Sequence, residues 1–284
     1  MEKNQEPSLG KAEYVYSSSE VSKFYGLTVK GMEYYEQCGL VTPERVGQGK
    51  VRRYSLADNY RLYFTRLYKN VGLGIQKTAE LLENNTPENL EGELEEQIRL
   101  MRREVWLHQR MLEELEHTRE MLLRLPEMPA FTVREEEGFY RLFIRRFYGP
   151  HRSNREETLE YKTWNDYLPV TAASLRFPLA DCLRGGSEMD TEIGLLVRRR
   201  DFERLGLRES GRTSAIPAGR FLRTLLCGEA EELSSTKWIR PALEYMRANH
   251  LTQTGDAFTR MIAILKRDGK ELRCDEAWFP VADG

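Results

Sequence analysis

Thr28-Val29-Lys30-Gly31-Met32-Glu33-Tyr34-Tyr35-Glu36 runs on to Gly39-Leu40, and a basic segment, Lys50-Val51-Arg52-Arg53-Tyr54, follows closely. Upstream, Ser17 and Glu20 have the spacing of a capping box, and Gly26 can take the left-handed conformation that ends a helix. Thr28 is placed to cap a second helix, with Gly39 at its far end. A supporting helix, a turn, a second helix and a basic hairpin are, in that order, the parts of a winged helix-turn-helix. Further helices are expected over Asp58–Val71 and Leu73–Leu82, so residues 14–85 read as one DNA-binding domain.

Phosphate contacts need cations, hydroxyls and helix N-termini, and base reading needs side chains on a helix seated in the major groove. Lys30 and Tyr34 are four apart and share a helix face, with Tyr35 beside them. Of Tyr34 and Tyr35, one is expected to pack in the core. Arg52 and Arg53 sit where a hairpin tip meets the backbone. The candidate DNA-binding residues are therefore Tyr16, Thr28, Lys30, Tyr34, Tyr35, Arg52, Arg53, Tyr54 and Lys69.

The charge distribution agrees. The 284 residues carry a formal net charge of only -2. From Tyr14 to Lys77, however, ten Lys and Arg face five Asp and Glu, a local surplus of the sign that meets phosphates. From Glu80 to Glu127 the balance turns acidic. The 4 cysteines, Cys38, Cys182, Cys227 and Cys274, are far apart with no C-x-x-C pair, so neither a disulfide framework nor a zinc site is expected. There is no signal peptide or long apolar run, so a reducing, cytoplasmic setting and no membrane association are expected. Residues 1–13 are polar and read as a disordered tail.

Residues 86–127 read as one long helix. Leu94, Ile98, Met101, Val105, His108, Leu112 and Leu115 recur in steps of four and three, and Leu122 and Leu125 follow. This 3.5-residue seam suits a dimerisation coiled coil; the other reading is an amphipathic helix packed on its own domain. Pro126 and Pro129 end it. Residues 128–284 turn mixed. Strands are expected at Phe139–Phe147, Leu175–Leu179, Glu192–Arg198 and Ala218–Cys227, with Leu272–Val281 closing the sheet. Helices are expected at Arg155–Leu168, Glu231–Asn249 and Asp256–Leu265. The whole is an α+β multidomain chain.

At Met32-Glu33-Tyr34-Tyr35-Glu36, Gly39-Leu40 and Lys50-Val51-Arg52-Arg53-Tyr54 the sequence resembles the MerR family of transcriptional regulators. The family's own pattern there is Leu-Arg-Tyr-Tyr-Glu, Gly-Leu and a Gly-Tyr-Arg-x-Tyr wing. Glu33 departs from that pattern, as do Lys50 and Val51. The resemblance implies an antiparallel homodimer on a pseudopalindromic promoter site. Effector binding would then let the dimer twist overlong promoter DNA so that RNA polymerase engages both elements.

Residues 128–284 resemble the GyrI-like effector domain of multidrug-type members, on Glu192-Ile193-Gly194, Ile216-Pro217-Ala218-Gly219-Arg220 and Glu276-Ala277-Trp278-Phe279-Pro280. There a Glu four residues before the terminal Pro pairs with lipophilic, often cationic ligands, and Glu276 matches it. Trp278, Phe143, Phe147, Trp164, Tyr167 and Tyr245 are candidate aromatic walls. The other reading of Glu276 is an exposed residue on a terminal strand. No cofactor, metal or catalytic group is expected, and His151 and His250 stand isolated. The alternatives are a GyrI-like small-molecule hydrolase or a drug-sequestering protein with a vestigial DNA module.

Overall fold

The computed structural model describes residues 14–84, 86–148, 154–186, 188–229 and 232–284. The tail at 1–13, His151 and the expected helix start at Glu231 lie outside them. The chain divides into two compact units, and the division falls between Leu107 and His108.

In the first unit, strand β1 (Tyr14–Ser17) leads directly into helix α1 (Ser18–Tyr25). Ser17 and Glu20 close a reciprocal capping box: the Ser17 hydroxyl accepts from Glu20 N at 3.3 Å, and the Glu20 carboxylate accepts from Ser17 N at 2.8 Å. Gly26, at φ +62°, stops the helix in the left-handed region. Helix α2 (Val29–Gln37) is capped by Thr28. The hairpin of β2 (Glu44–Val46) and β3 (Val51–Ser55) lies in a three-stranded sheet of order β1-β3-β2. A second capping box, Ser55 with Asp58, starts α3 (Leu56–Asn70). The other Asp58 oxygen accepts Thr42 N at 2.8 Å, tying the segment before the hairpin to the helix after it. Helix α4 (Ile75–Glu83) follows. Val21, Tyr25, Met32, Tyr35, Leu40, Val41, Tyr54 and Leu62 form the core, joining α1, α2, β3 and α3.

Helix α5 (Pro87–Arg124) carries the expected seam. Leu94, Ile98, Met101, Val105, Leu112 and Leu115 are all exposed, between 37 and 65 %. The rest of the helix surface is not uniformly solvated. Arg110, Glu114 and Met121 are buried and His117 is partly so, because α5 from His108 on belongs to the second unit and turns this stripe into it.

The second unit is built on a sheet whose strand order is β4-β9-β12-β11-β6-β7-β5-β8. The strands are β4 (Phe131–Glu136), β5 (Phe139–Arg146), β6 (Ala172–Phe177), β7 (Glu192–Arg198), β8 (Thr213–Ile216), β9 (Gly219–Glu229), β11 (Ala257–Arg267) and β12 (Lys270–Asp283). The short β10 (Leu251–Gln253) pairs with β12. Helices α6 (Arg155–Asn165), α7 (Leu179–Arg184), α8 (Arg199–Phe202) and α9 (Thr236–Ala248) complete it. One face of the sheet packs Leu175, Phe177, Leu222, Leu226, Ala277 and Phe279 against Trp238, Ile239, Ala242 and Met246 of α9.

Three expectations are corrected here. Asp256–Leu265, expected as a helix, is strand β11. Its true signal is Asp268-Gly269, both at positive φ, which turns β11 back into β12 as a tight hairpin. Leu272–Val281 does not close the sheet, because β12 lies inside it between β9 and β11. Cys227 and Cys274 form a disulfide with Cα atoms 4.2 Å apart. They are directly opposed in the β9–β12 register, a pairing that sequence spacing does not reveal.

Candidate nucleic-acid interface and the buried charge network

The first unit presents α2 and the β2–β3 hairpin side by side. Lys30 is exposed, and Tyr34 is 48 % exposed on the same side of the helix. The hairpin is fastened to α2 by Glu36. Its Oε1 accepts Arg45 Nη2 at 2.7 Å and its Oε2 accepts Arg52 Nε at 2.8 Å. Burial alone would raise the Glu36 carboxyl, but the hydrogen bonds from Arg45 and Arg52 hold it below its usual range. Glu33 adds a longer contact to Arg52 Nη1 at 3.4 Å. The carboxylate that departs from the family pattern thus faces a guanidinium of the hairpin. Lys50 lies at the hairpin turn, exposed and at φ +47°.

The sequence candidates divide accordingly. Lys30, Tyr34 and Lys69 are exposed, and Arg52 and Arg53 are half-buried. Thr28 is exposed, and its hydroxyl accepts Gly31 N at 3.1 Å as the helix cap. Tyr16 packs on the core. Tyr35, at 6 % exposure, is the member of the tyrosine pair that packs in the core; Tyr54 is corrected, since at 0 % exposure it too is a core residue. Tyr35 keeps an edge in reach, since Lys69 Nζ lies 3.4 Å from its hydroxyl. Sequence reasoning passed over Glu36, which orients the hairpin, and treated Lys50 only as a departure. The i to i+9 and i+16 separations of Glu36 from its arginines left no local signal for its role.

In the second unit, Glu276 is not an open site. It is completely buried, ion-paired with Arg223 Nε and hydrogen-bonded to His117 Nε2 of α5 at 2.8 Å. His117 Nε2 also lies 3.2 Å from Arg223 Nη2; the tautomer with the proton on Nε2 donates to Glu276, and the other tautomer accepts from Arg223. One and two turns before His117, the same face of α5 continues the network. Glu114 pairs with Arg260 and accepts Arg110 Nη2 at 2.7 Å, while Arg110 grips Asp201 at 2.9 and 3.0 Å. Trp278 is buried beside Phe139 and Phe258, stacked on the latter at 5.5 Å, and donates Nε1–H to Glu136 at 3.3 Å. The space left between Trp278, Arg260 and Glu114 is about 10 Å³, room for at most about one water.

The other aromatic candidates do not converge there. Phe147 and Tyr245 pack on the α9 side of the sheet, and Tyr245 stacks on Phe131. Trp164 is buried against Phe202. Phe143 lies under Arg212, and Tyr167 is half-buried in the turn after α6. An expected helix at Asp256–Leu265 leaves hydrophobic periodicity unable to separate the two sheet faces.

Residues 16–85 match the profile of the MerR HTH family regulatory proteins. Over 108 residues the chain is 31% identical to the HTH-type transcriptional regulator CueR of Escherichia coli O6:H1, covering 38% of this chain and 78% of that protein. The chain belongs to the MerR family. It is also 35% identical over 69 residues to the HTH-type transcriptional activator TipA of Streptomyces coelicolor, spanning 24% of itself and only 27% of that relative's length. Among solved structures, the EcmrR–DNA complex covers 95% of this chain and 100% of its own, at 17% identity and a TM-score of 0.34. A likeness at that level fixes nothing about this MerR-family chain.

Burial, then the charges of Arg260 and Arg223, lower His117 from its ordinary 6.5 to about 4; Glu114 partly opposes them, and Arg198 adds to the depression. The folded chain therefore keeps His117 neutral where an unfolded chain would protonate it. The stability this contributes is fully present above about pH 6.5 and is lost as pH falls toward 4. Denaturant midpoints of the wild type should therefore fall between pH 6.5 and 4 more steeply than those of His117→Gln. Equal slopes would mean that His117 takes up its proton in the fold over the same pH range as in the unfolded chain.

Proposed function

We propose that this chain is a ligand-responsive transcription regulator that binds promoter DNA as a homodimer in the cytoplasm. The observation that carries the reading is the docking of the basic hairpin on α2 through Glu36, beside the exposed Lys30–Tyr34 face. This gives a major-groove helix and a backbone-contacting wing a fixed spacing. The regulator names of the relatives support it over an enzyme. The exposed seam of α5 supports a second copy as partner, and the GyrI-like resemblance of residues 128–284 supports a small organic effector. On the family pattern, effector binding would shift the dimer toward a form that twists the promoter for RNA polymerase. Deforming DNA in this way costs several kcal/mol, which the contacts must offset.

A cationic effector would find Glu276 already neutralised by Arg223 and bonded to His117. It would have to displace both.

The test is a gel shift on the DNA upstream of the chain's own gene. A complex that weakens steeply with salt is expected, and no complex at low salt would sink the reading. Lys30→Ala should weaken binding and reduce the slope of log K against log salt by about one, the signature of one lost phosphate contact. An unchanged slope would remove Lys30 from the interface.

A further inference from the structure

A second opening lies in the same unit. A cleft of about 450 Å³ is bounded by residues 214–220, residues 254–256 and Pro280 with Val281. This is within the range of small-molecule sites and far larger than the space at Trp278. Phe221 and Phe258 line its floor. Its charged lining is three arginines, Arg141, Arg176 and Arg220, and one carboxylate, Asp256.

That carboxylate is spent. Asp256 Oδ2 takes Arg176 Nε at 2.7 Å and Nη2 at 2.5 Å, and Oδ1 accepts Leu179 N at 2.8 Å. Both guanidinium nitrogens converge on one oxygen, so an arriving ammonium would have to compete with that clamp and with a backbone bond on the other oxygen. Arg220 stands differently. Its partner is Asp283, which is 80 % exposed, and Arg220 itself is 38 % exposed. A pair so open to water is worth only about 0–1 kcal/mol, so a ligand carboxylate can replace Asp283 at little cost.

Arg141 lies beneath, its Nη1 3.3 Å from the Glu192 carboxylate, which also takes Arg176 Nη1 at 2.7 Å, so both guanidiniums are already paired and Arg220 is the one of the three whose partner exchanges readily. Arg141 is 1 % exposed, with Nη2 donating to the Glu192 carbonyl at 2.9 Å and Nε to Ser174 Oγ at 3.3 Å. Burial lowers it to about 10. A Cβ at Gly194 would meet the Leu142 carbonyl oxygen first, at 2.2 Å, and the Arg141 guanidinium at 2.9 Å, so glycine is needed there both for the β5–β7 pairing and for this guanidinium.

We propose that this cleft is the effector site and that it takes a small amphipathic organic anion, an alkyl or aryl carboxylate or sulfonate. The acid group sits on Arg220 with Arg176 beside it, and the apolar body lies over Phe221 and Phe258. The assignment deepens the regulator reading and rests on it for the word effector.

The probe is the aromatic sulfonate 1-anilinonaphthalene-8-sulfonate, titrated into the full chain by fluorescence. One saturable site per chain is expected. Its Kd should rise at least tenfold in Arg220→Gln and stay within twofold in Arg267→Gln, an arginine that is 81 % exposed elsewhere. Octanoate should displace the probe and octylammonium, of the same chain length, should not. Equal loss in the two variants, no loss in Arg220→Gln, or equal displacement by octylammonium would each overturn the proposal. A gel shift on the same samples separates the two readings. DNA binding with an Arg220-insensitive probe sinks the site alone. An Arg220-dependent probe site without DNA binding sinks the regulator reading and leaves the anion site standing.

Discussion

Glu276→Leu is expected to lower the stability of the second unit by about 3–5 kcal/mol, because it leaves a buried guanidinium without its counter-charge. The Arg223 side chain is only 9 % exposed, and its Nε is paired with Glu276. Burial already lowers Arg223 to about 10, and Arg134 and Arg198 push the same way. No carboxylate with an equivalent position remains after the substitution: Glu136 is bonded to Arg134 and Trp278, and Glu114 is held by Arg110 and Arg260. For a unit of this size the loss corresponds to a fall in Tm of roughly 10 °C. Removing both charges tests the cause. Glu276→Leu with Arg223→Met replaces the pair by apolar groups of similar volume, which is often close to neutral, so most of the loss should be recovered. Trp164, Trp238 and Trp278 report on this unit by fluorescence. A single variant within about 1 kcal/mol of wild type, or a double variant no better than the single, would show that charge pairing does not hold this face together.

The first unit was legible in the sequence because its instructions are local. Ser17 with Glu20, Gly26 and Thr28 each act within four residues, and each performs the expected cap. What failed there was burial. Tyr54 sits in a basic hairpin and reads as an interface residue, yet it is wholly enclosed, because β3 turns this side chain under the hairpin toward Leu62 and Tyr35. Family position alone could not distinguish Tyr34 from Tyr35, although the helix puts them on opposite sides of the core boundary.

The second unit was less legible because its determinants are long-range. The disulfide needs the β9–β12 register, and that register spans 47 residues of sequence. The most instructive case is α5. Arg110, Glu114, His117 and Met121 repeat in steps of four, three and four, as strict a period as the apolar seam. A search for hydrophobic periodicity passes over them, because buried charges look like a solvated face until their partners are known. Those partners, Asp201, Arg260, Glu276 and Arg223, come from four other elements. The same separation hid the arginine-lined cleft, whose walls are contributed by strands and turns far apart in the chain.

Changing Ile98 and Val105 to Glu is expected to convert a dimer into a monomer and to lower operator affinity by two orders of magnitude or more. Both side chains belong to the apolar seam of α5, and among the described residues they stay 48 and 65 % exposed. Such a stripe in water is stable only if another surface buries it, and its heptad spacing suits an equivalent helix. Glu at both positions would place four carboxylates in the seam of a dimer, each desolvated without a partner. Glu is a good helix former, so α5 itself should persist and circular dichroism should be unchanged. The DNA effect is larger than the loss of any single contact, because a dimer binds its second half-site intramolecularly. Losing that linkage removes a factor of about 10²–10⁴. Sedimentation velocity on wild type and variant, with gel shifts on the same samples, reads both effects. A monomeric wild type would reject the seam as an interface. A monomeric variant that still bound the operator with wild-type affinity would mean that one winged-helix unit suffices, and the two-half-site reading would fall.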